Sequence, residues 1–237
     1  MRPNKRGVLY GVGVGPGDPE LITMKAKRII EEVDVIVVPV KSKGERSTAL
    51  EIIRPVVELE GKRILEAVFS MAKDDDVYRQ CGAAAGDVIA AELDLGRDVA
   101  VITLGDVSIY STYMYVNDYV SSMGYETAVI PGVTSFCSGA ALAGIPLALG
   151  NEGLAVVPSA RDTSMVEKAL DVFDNVVVMK AGNSVSRLSG ILRERGLDPG
   201  CATVISGAGM KDEYVGPLDT EREYGYFTTV IVKKNLG

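Results

Sequence analysis

The residues of this chain with the clearest chemical capability stand where its apolar runs end. The first run closes in GVLYGVGVGPGDPELITMKA, in which Gly11, Gly13, Gly15 and Gly17 crowd a short turn before Asp18 and Pro19. Asp18 has the make-up of a helix N-cap, and Pro19 suits the first helical position. A turn built only for geometry needs fewer glycines, so a ligand or a second backbone is expected to approach closely here. A dinucleotide loop requires Gly-x-Gly-x-x-Gly, but counted from Gly11 the last glycine falls on Pro16, and from Gly13 on Asp18. The next apolar run, DVIVVPV, offers Pro39 and Lys41 near its end instead of the acidic residue that binds a ribose. The Gly-Lys-Ser/Thr of a phosphate loop is absent.

Later runs end in comparable loops. VAVITL is followed by Gly105 and Asp106, and Asp106 reads either as a helix N-cap or as a ligand contact. The helix expected over 108–123 has Tyr113, Val116, Val120 and Met123 on its apolar face and stops at Gly124. Tyr110, Tyr113 and Tyr115, taken singly, read as packing or rim residues. In VIPGVTSFCSGAALAGIPLA, Thr134 or Ser135 begins a helix rich in small residues, which packs closely and leaves free backbone N–H groups at its start. VVVMKAGNS and VISGAGMKDEYVG end two further runs in the same way, and Lys180 in the first of them reads as a snorkelling strand-end lysine or a site residue. Lys41, Lys43 and Arg46 follow the second run, and Lys73 and Arg79 follow VFSM; they read as partners for ligand carboxylates or as a solvated face.

Composition removes several alternatives. The chain has no histidine, which excludes histidine-based triads, HExxH metalloproteases and histidine acid/base work. Cys81, Cys137 and Cys201 are odd in number, far apart and free of CxxC spacing, so reduced packing thiols are expected and no metal site is. With 25 Lys and Arg against 32 Asp and Glu the net charge is −7, which argues against a nucleic-acid surface but leaves room for a local basic pocket. No run of about eighteen uncharged apolar residues suggests a membrane span, and the N-terminal glycines do not suit a signal peptide, so a cytoplasmic protein is expected.

The elements that position these loops follow from periodicity. Across 237 residues, 47% of them hydrophobic, short β-branched runs alternate with helical patterns: GVLYGVGV then 19–32, DVIVVPV then 45–54, and VAVITL then 108–123. The rhythm continues with LAVVP, a helix near 163–172, NVVVMK, a helix near 184–195, and CATVIS. This βαβ order predicts parallel sheets with helices on their faces and ligands at the carboxyl ends of strands. EYVGPLDT and YFTTVIVKK lack a helix between them and predict antiparallel edge strands on a mixed sheet. The fold expected is α/β in two α/β domains, 1–125 and 126–237, with a ligand cleft between them.

Taken in order, these segments resemble the tetrapyrrole methylase family over essentially the whole chain, and within it the precorrin-2 C20-methyltransferases of cobalamin synthesis. The resemblance implies S-adenosylmethionine as cofactor, S-adenosylhomocysteine as its product, an acidic tetrapyrrole as substrate (precorrin-2 or its cobalt form), and a homodimer. Carried over by motif, it assigns cofactor contacts to Pro16, Leu104, Gly105, Asp106, Ile109, Thr134, Ser135, Met179 and Gly207. Asp106 and Tyr110 become candidates for the C20 proton, and Lys41, Lys43, Arg46, Lys73 and Arg79 candidates for the substrate carboxylates. The family's Gly-Asp-Pro is Gly-Asp-Val here, with Val107 replacing the proline. Uroporphyrinogen-III methyltransferases carry an Asp where this chain has Pro39, so that acid/base role does not transfer. The rival readings are another methylase of this fold, such as a different corrin-ring methyltransferase or a diphthine synthase, and a nucleotide-binding oxidoreductase.

Overall fold

A computed structural model describes residues 6–69, 74–158 and 163–234. The chain divides into two compact units, the first ending at Thr134 and the second beginning at Ser135.

The first unit contains β1 (Leu9–Gly13), α1 (Met24–Glu32), β2 (Val35–Val40), α2 (Thr48–Ile53), β3 (Arg63–Val68), α3 (Asp75–Asp94), β4 (Val99–Thr103), α4 (Tyr113–Ser122) and β5 (Thr127–Ile130). Its five strands are all parallel, in the order β3-β2-β4-β1-β5. Alternate residues of each central strand feed opposite cores, as the two-residue period of a strand demands. Ile36 and Val38 join Ala26, Ile29 and Ile30 of α1 and Leu50 and Ile53 of α2. Val35 and Val37 join Ile89 and Leu93 of α3 and Tyr113, Val116 and Val120 of α4. The chain therefore leaves the neighbouring strands β1 and β4 toward opposite faces, which opens a crevice at their carboxyl ends.

The second unit holds α5 (Ser135–Ala143), β6 (Leu154–Val157), α6 (Ser164–Val172), β7 (Asn175–Met179), α7 (Val185–Glu194), β8 (Ala202–Ser206), β9 (Tyr214–Pro217) and β10 (Thr228–Lys233). The sheet order is β6-β7-β10-β8-β9, with β10 antiparallel to both neighbours. Gly139 on α5 shows why that helix is built of small residues, because an added Cβ would lie 3.2 Å from Ile205.

Several elements differ from the sequence reading. The segment YFTTVIVKK is not an edge: β10 lies centrally and all six of its residues are buried. A strand covered on both faces reads as a continuous apolar run, and TTVIV has that form. Lys233 ends it at 4% exposure, its Nζ donating to Asn175 Oδ1 at 2.7 Å beside Glu152. The first unit extends past the boundary expected at 125, because β5 pairs with β1. The helix expected over 19–32 is interrupted: Asp18 caps a short turn, Pro19–Leu21, and Thr23 then caps α1. The helix expected from 108 starts at Tyr113, and Met123 is 37% exposed instead of facing the core. β3 and α3 escaped the reading altogether. β3 is an edge strand with most residues exposed, and α3 meets Tyr115 and Tyr119 of α4 at Gly82 and Gly86, which carry no apolar side chain. Among the described residues no helix is long and apolar enough to cross a membrane.

Two glycine substitutions test this packing with opposite signs. A Cβ at Gly190 on α7 meets nothing within 4 Å, so Gly190→Ala should stabilise by about 0.5–1 kcal/mol through helix propensity. At Gly86 on α3 the same atom would stand 2.4 Å from the Tyr119 ring, so Gly86→Ala should destabilise. Denaturant titration of both variants reads the difference.

Candidate active site

At the carboxyl end of the first sheet the glycine loop folds against its neighbours' backbones. Gly15 and Gly105 pair as an isolated antiparallel bridge: the Gly105 amide donates to the Gly15 carbonyl at 2.7 Å, and the Gly15 amide to the Gly105 carbonyl at 3.2 Å. Both residues lie at positive φ, 86° and 71°, where a side chain is strained. A Cβ on Gly13 would stand 2.7 Å from the Gly105 oxygen and the Gly132 nitrogen, and one on Gly132 would stand 2.2 Å from that same oxygen. The ends of β1, β4 and β5 thus meet with no side chain between them.

Several donors that a phosphate could use are spent within this turn. The Gly15 and Gly105 amides donate to each other's carbonyls, the Glu20 amide to the Asp18 carboxylate, and the Ala26 amide to the Thr23 hydroxyl. A dinucleotide or phosphate loop instead aims such amides at its ligand, so the oxidoreductase reading has no structural footing here.

Asp106 fastens the junction. One carboxylate oxygen accepts from the Ser108 amide at 2.8 Å and from the Ser108 hydroxyl; the other accepts from the Gly132 amide at 2.8 Å. It is not the N-cap of α4, which Thr112 occupies. Burial pulls its pKa up, but the hydrogen bonds from Ser108, Gly132 and Val107 outweigh it and hold the carboxyl below its ordinary value. Val107, in the place of the family's proline, is fully buried, so packing contributes to holding this loop. Tyr110 stands at φ 50, a conformation rare outside glycine and found where a loop is over-determined. It is 47% exposed, and burial of the remainder raises its phenol pKa. Leu104 and Ile109 are half-buried, while Pro16 is buried with the glycines around it. Thr134 closes the first unit, half-buried.

Because the sheet is parallel, the basic residues after β2 share this edge. The turn carrying Lys41, Lys43 and Arg46 is closed by Glu45, which accepts from Ser42, and by Glu66, which accepts from the Gly44 amide. All three cations are exposed. Arg79 is exposed in the second turn of α3, and Lys73 lies outside the described residues.

In the second unit Met179 and Gly207 flank the start of β10. Met179 pairs in register with Thr229 and Ser206 with Thr228, while the Gly207 amide donates to the Phe227 carbonyl at 2.9 Å. The Ala181 amide donates to the Thr228 carbonyl at 2.8 Å, and Lys180 is held at φ 56 with its Nζ 5.7 Å from the centre of the Tyr226 ring. Ser135 opens α5. Tyr226 and Phe227 were missed in the sequence. They meet edge to face at 5.3 Å and are 48% and 41% exposed; the signal available was an aromatic pair just before a β-branched run. Among the described residues no cluster of His, Cys, Asp and Glu could hold a metal ion.

Comparison with known proteins follows the same lines. Residues 8–221 match the family model of the tetrapyrrole (corrin/porphyrin) methylases. The probable cobalt-precorrin-2 C(20)-methyltransferase of Methanocaldococcus jannaschii is 36% identical over 231 residues, covering 95% of this chain and 96% of that protein. The cobalt-precorrin-2 C(20)-methyltransferase of Salmonella typhimurium is 32% identical over 236 residues, covering 96% and 97%. Among solved structures, the uroporphyrin-III C-methyltransferase of Thermus thermophilus complexed with S-adenosylhomocysteine has a TM-score of 0.66 at 21% identity, covering 96% of this chain and 98% of its own, and shares the fold.

Asp106→Asn tests the junction directly. The amide keeps one acceptor oxygen where donors converge on two, so the variant should lose about 1–3 kcal/mol of stability at neutral pH. A carboxyl with a lowered folded pKa stabilises above its unfolded pKa of about 3.9 and loses that contribution as pH falls through the folded value. The gap between wild type and variant should therefore close in acid, as urea melts from pH 7 to pH 3 will show.

Proposed function

The chain belongs to the tetrapyrrole (corrin/porphyrin) methylase family, and we propose that it methylates C20 of precorrin-2 or of cobalt-precorrin-2 in cobalamin synthesis. The observation that carries this reading is identity of 36% and 32% to two C20-methyltransferases over nearly the whole of each chain. The enzyme is S-adenosylmethionine-dependent. That cofactor supplies an electrophilic methyl group on a sulfonium sulfur, which an electron-rich carbon displaces.

The residues present suit this cofactor. Adenosylmethionine carries no phosphate, and the Gly15 and Gly105 amides of the glycine junction are spent on each other's carbonyls. Half-buried Leu104 and Ile109 give apolar surface on a strand-end loop, as an adenosine or a thioether chain needs. Pro16, Leu104, Gly105, Asp106, Ile109, Thr134, Ser135, Met179 and Gly207 are the positions assigned to it. Asp106 acts chiefly through position: it fixes the Gly105 loop against Gly132. A carboxyl held below its usual pKa is a weak base, so Asp106 favours departure of the C20 proton electrostatically, with Tyr110 on the same loop as the other titratable group assigned to that proton. The chain's main catalytic contribution is alignment of the two reacting partners and exclusion of water, worth on the order of 7–11 kcal/mol when fully realised.

Substrate carboxylates are assigned to Lys41, Lys43, Arg46, Lys73 and Arg79; the first three form an exposed basic group in an otherwise acidic protein. The same reading makes the enzyme a cytoplasmic homodimer. An odd number of cysteines, Cys81, Cys137 and Cys201, without CxxC spacing is in keeping with a reducing compartment.

Mass spectrometry of precorrin-2 and of cobalt-precorrin-2 after incubation with adenosylmethionine tests the assignment. One of the two should gain a single methyl group at C20, with one adenosylhomocysteine released per methyl. Methylation at another ring position, or of neither compound, would overturn it.

A further inference from the structure

The connector between β9 and β10, residues 218–227, carries a single cation, Arg222, among Asp219, Glu221 and Glu223. Its guanidinium carbon stands 4.0 Å from the centre of the Tyr214 ring and 5.9 Å from that of Tyr224. The two rings lie 5.8 Å apart, tilted by 57°. Each is anchored: the Tyr214 hydroxyl donates to the Pro217 carbonyl at 3.0 Å, the Tyr224 hydroxyl accepts from the Asp219 amide at 3.4 Å, and both rings pack on the core of the second unit.

An arginine held this way is unusual in what it leaves unused. No ion pair or hydrogen bond with a described residue engages Arg222, and the Asp219 carboxylate on the same connector turns to the Glu221 amide instead. Seated over a ring by cation–π attraction, the guanidinium keeps its fork of N–H donors for a further partner. A carboxylate is the group that accepts two parallel bonds from such a fork.

The connector belongs to the loop cluster already described in the second unit. Tyr214 pairs in register with Ser206, next to Gly207. The carbonyls of Tyr224 and Gly225 lie against Gly182, where an added Cβ would come within 2.7 and 2.2 Å of them, and the Phe227 carbonyl takes the Gly207 amide. Arg222 is thus tied through two tyrosines to the loops that follow β7 and β8.

We propose that Arg222 is a carboxylate anchor for the tetrapyrrole substrate, held ready by Tyr214 and Tyr224. The role rests on the methylase reading above and is not assigned by the family match, which ends at residue 221. It adds a cation seated on two aromatic rings to the candidates for the substrate carboxylates.

Three proteins decide the matter: wild type, Arg222→Met and Arg222→Lys. Cobalt-precorrin-2 and precorrin-2 are titrated spectroscopically, adenosylhomocysteine calorimetrically, and each protein is melted without ligand. Arg222→Met should bind tetrapyrrole at least tenfold more weakly, Arg222→Lys should recover part of the loss, and adenosylhomocysteine affinity and melting temperature should stay at the wild-type values. Unchanged tetrapyrrole affinity in Arg222→Met overturns the proposal. So does an equal loss for adenosylhomocysteine, which would make the bound carboxylate the cofactor's, and so does a fall in melting temperature alone, which would make the stack structural. If wild type takes up neither tetrapyrrole, the substrate assignment itself falls and the anchor falls with it.

Discussion

Three strand ends of the first unit touch backbone to backbone, and this contact governs what the rest of that unit can be. Gly13, Gly105 and Gly132 approach so closely that a single methyl on Gly13 or Gly132 would overlap a neighbour's main chain. The Gly15 and Gly105 amides bond across the gap in place of reaching outward. Once the loops after β1 and β4 are joined in this way, the crevice that a doubly wound sheet ordinarily offers to a pyrophosphate is bridged. Asp106 belongs to the same constraint, since its two oxygens hold the β4 loop to the β5 loop.

The second unit solves a similar problem with an intervening segment. Its candidate loops follow β7 and β8, which are separated by β10, so no direct backbone junction can form between them. The segment entering β10 spans the gap: the Phe227 carbonyl takes the Gly207 amide and the Thr228 carbonyl takes the Ala181 amide. The Tyr214, Arg222 and Tyr224 stack fixes the far part of that segment. Backbone strain collects in the loops this arrangement supports, at Tyr110 in one unit and Lys180 in the other, the two non-glycine positive-φ positions among the described residues.

Much of this was legible from pattern. The alternation of β-branched runs with helical faces marks β1, β2, β4, β6, β7 and β8, and the failed glycine register points away from phosphate and toward close backbone approach. What escaped did so for identifiable reasons. β10 looked like an edge because sequence order says nothing of sheet order, although its unbroken apolar run marked it as doubly covered. α3 hid because a helix that packs through Gly82 and Gly86 lacks the large apolar stripe that periodicity detects. Asp106 was weighed as a helix cap or a ligand contact, and neither alternative anticipated a partner on Gly132, 26 residues away in sequence. Arg222 could not be singled out, because its meaning depends on two tyrosines brought to it by the fold.

The glycine junction is proposed to serve adenosylmethionine in preference to a nucleotide phosphate. Calorimetric titration of the protein with S-adenosylhomocysteine and, separately, with NAD and NADP separates the two. Saturable one-site binding of S-adenosylhomocysteine is expected, with no heat of binding from either dinucleotide. Saturable binding of NAD or NADP in the absence of any for S-adenosylhomocysteine would contradict it.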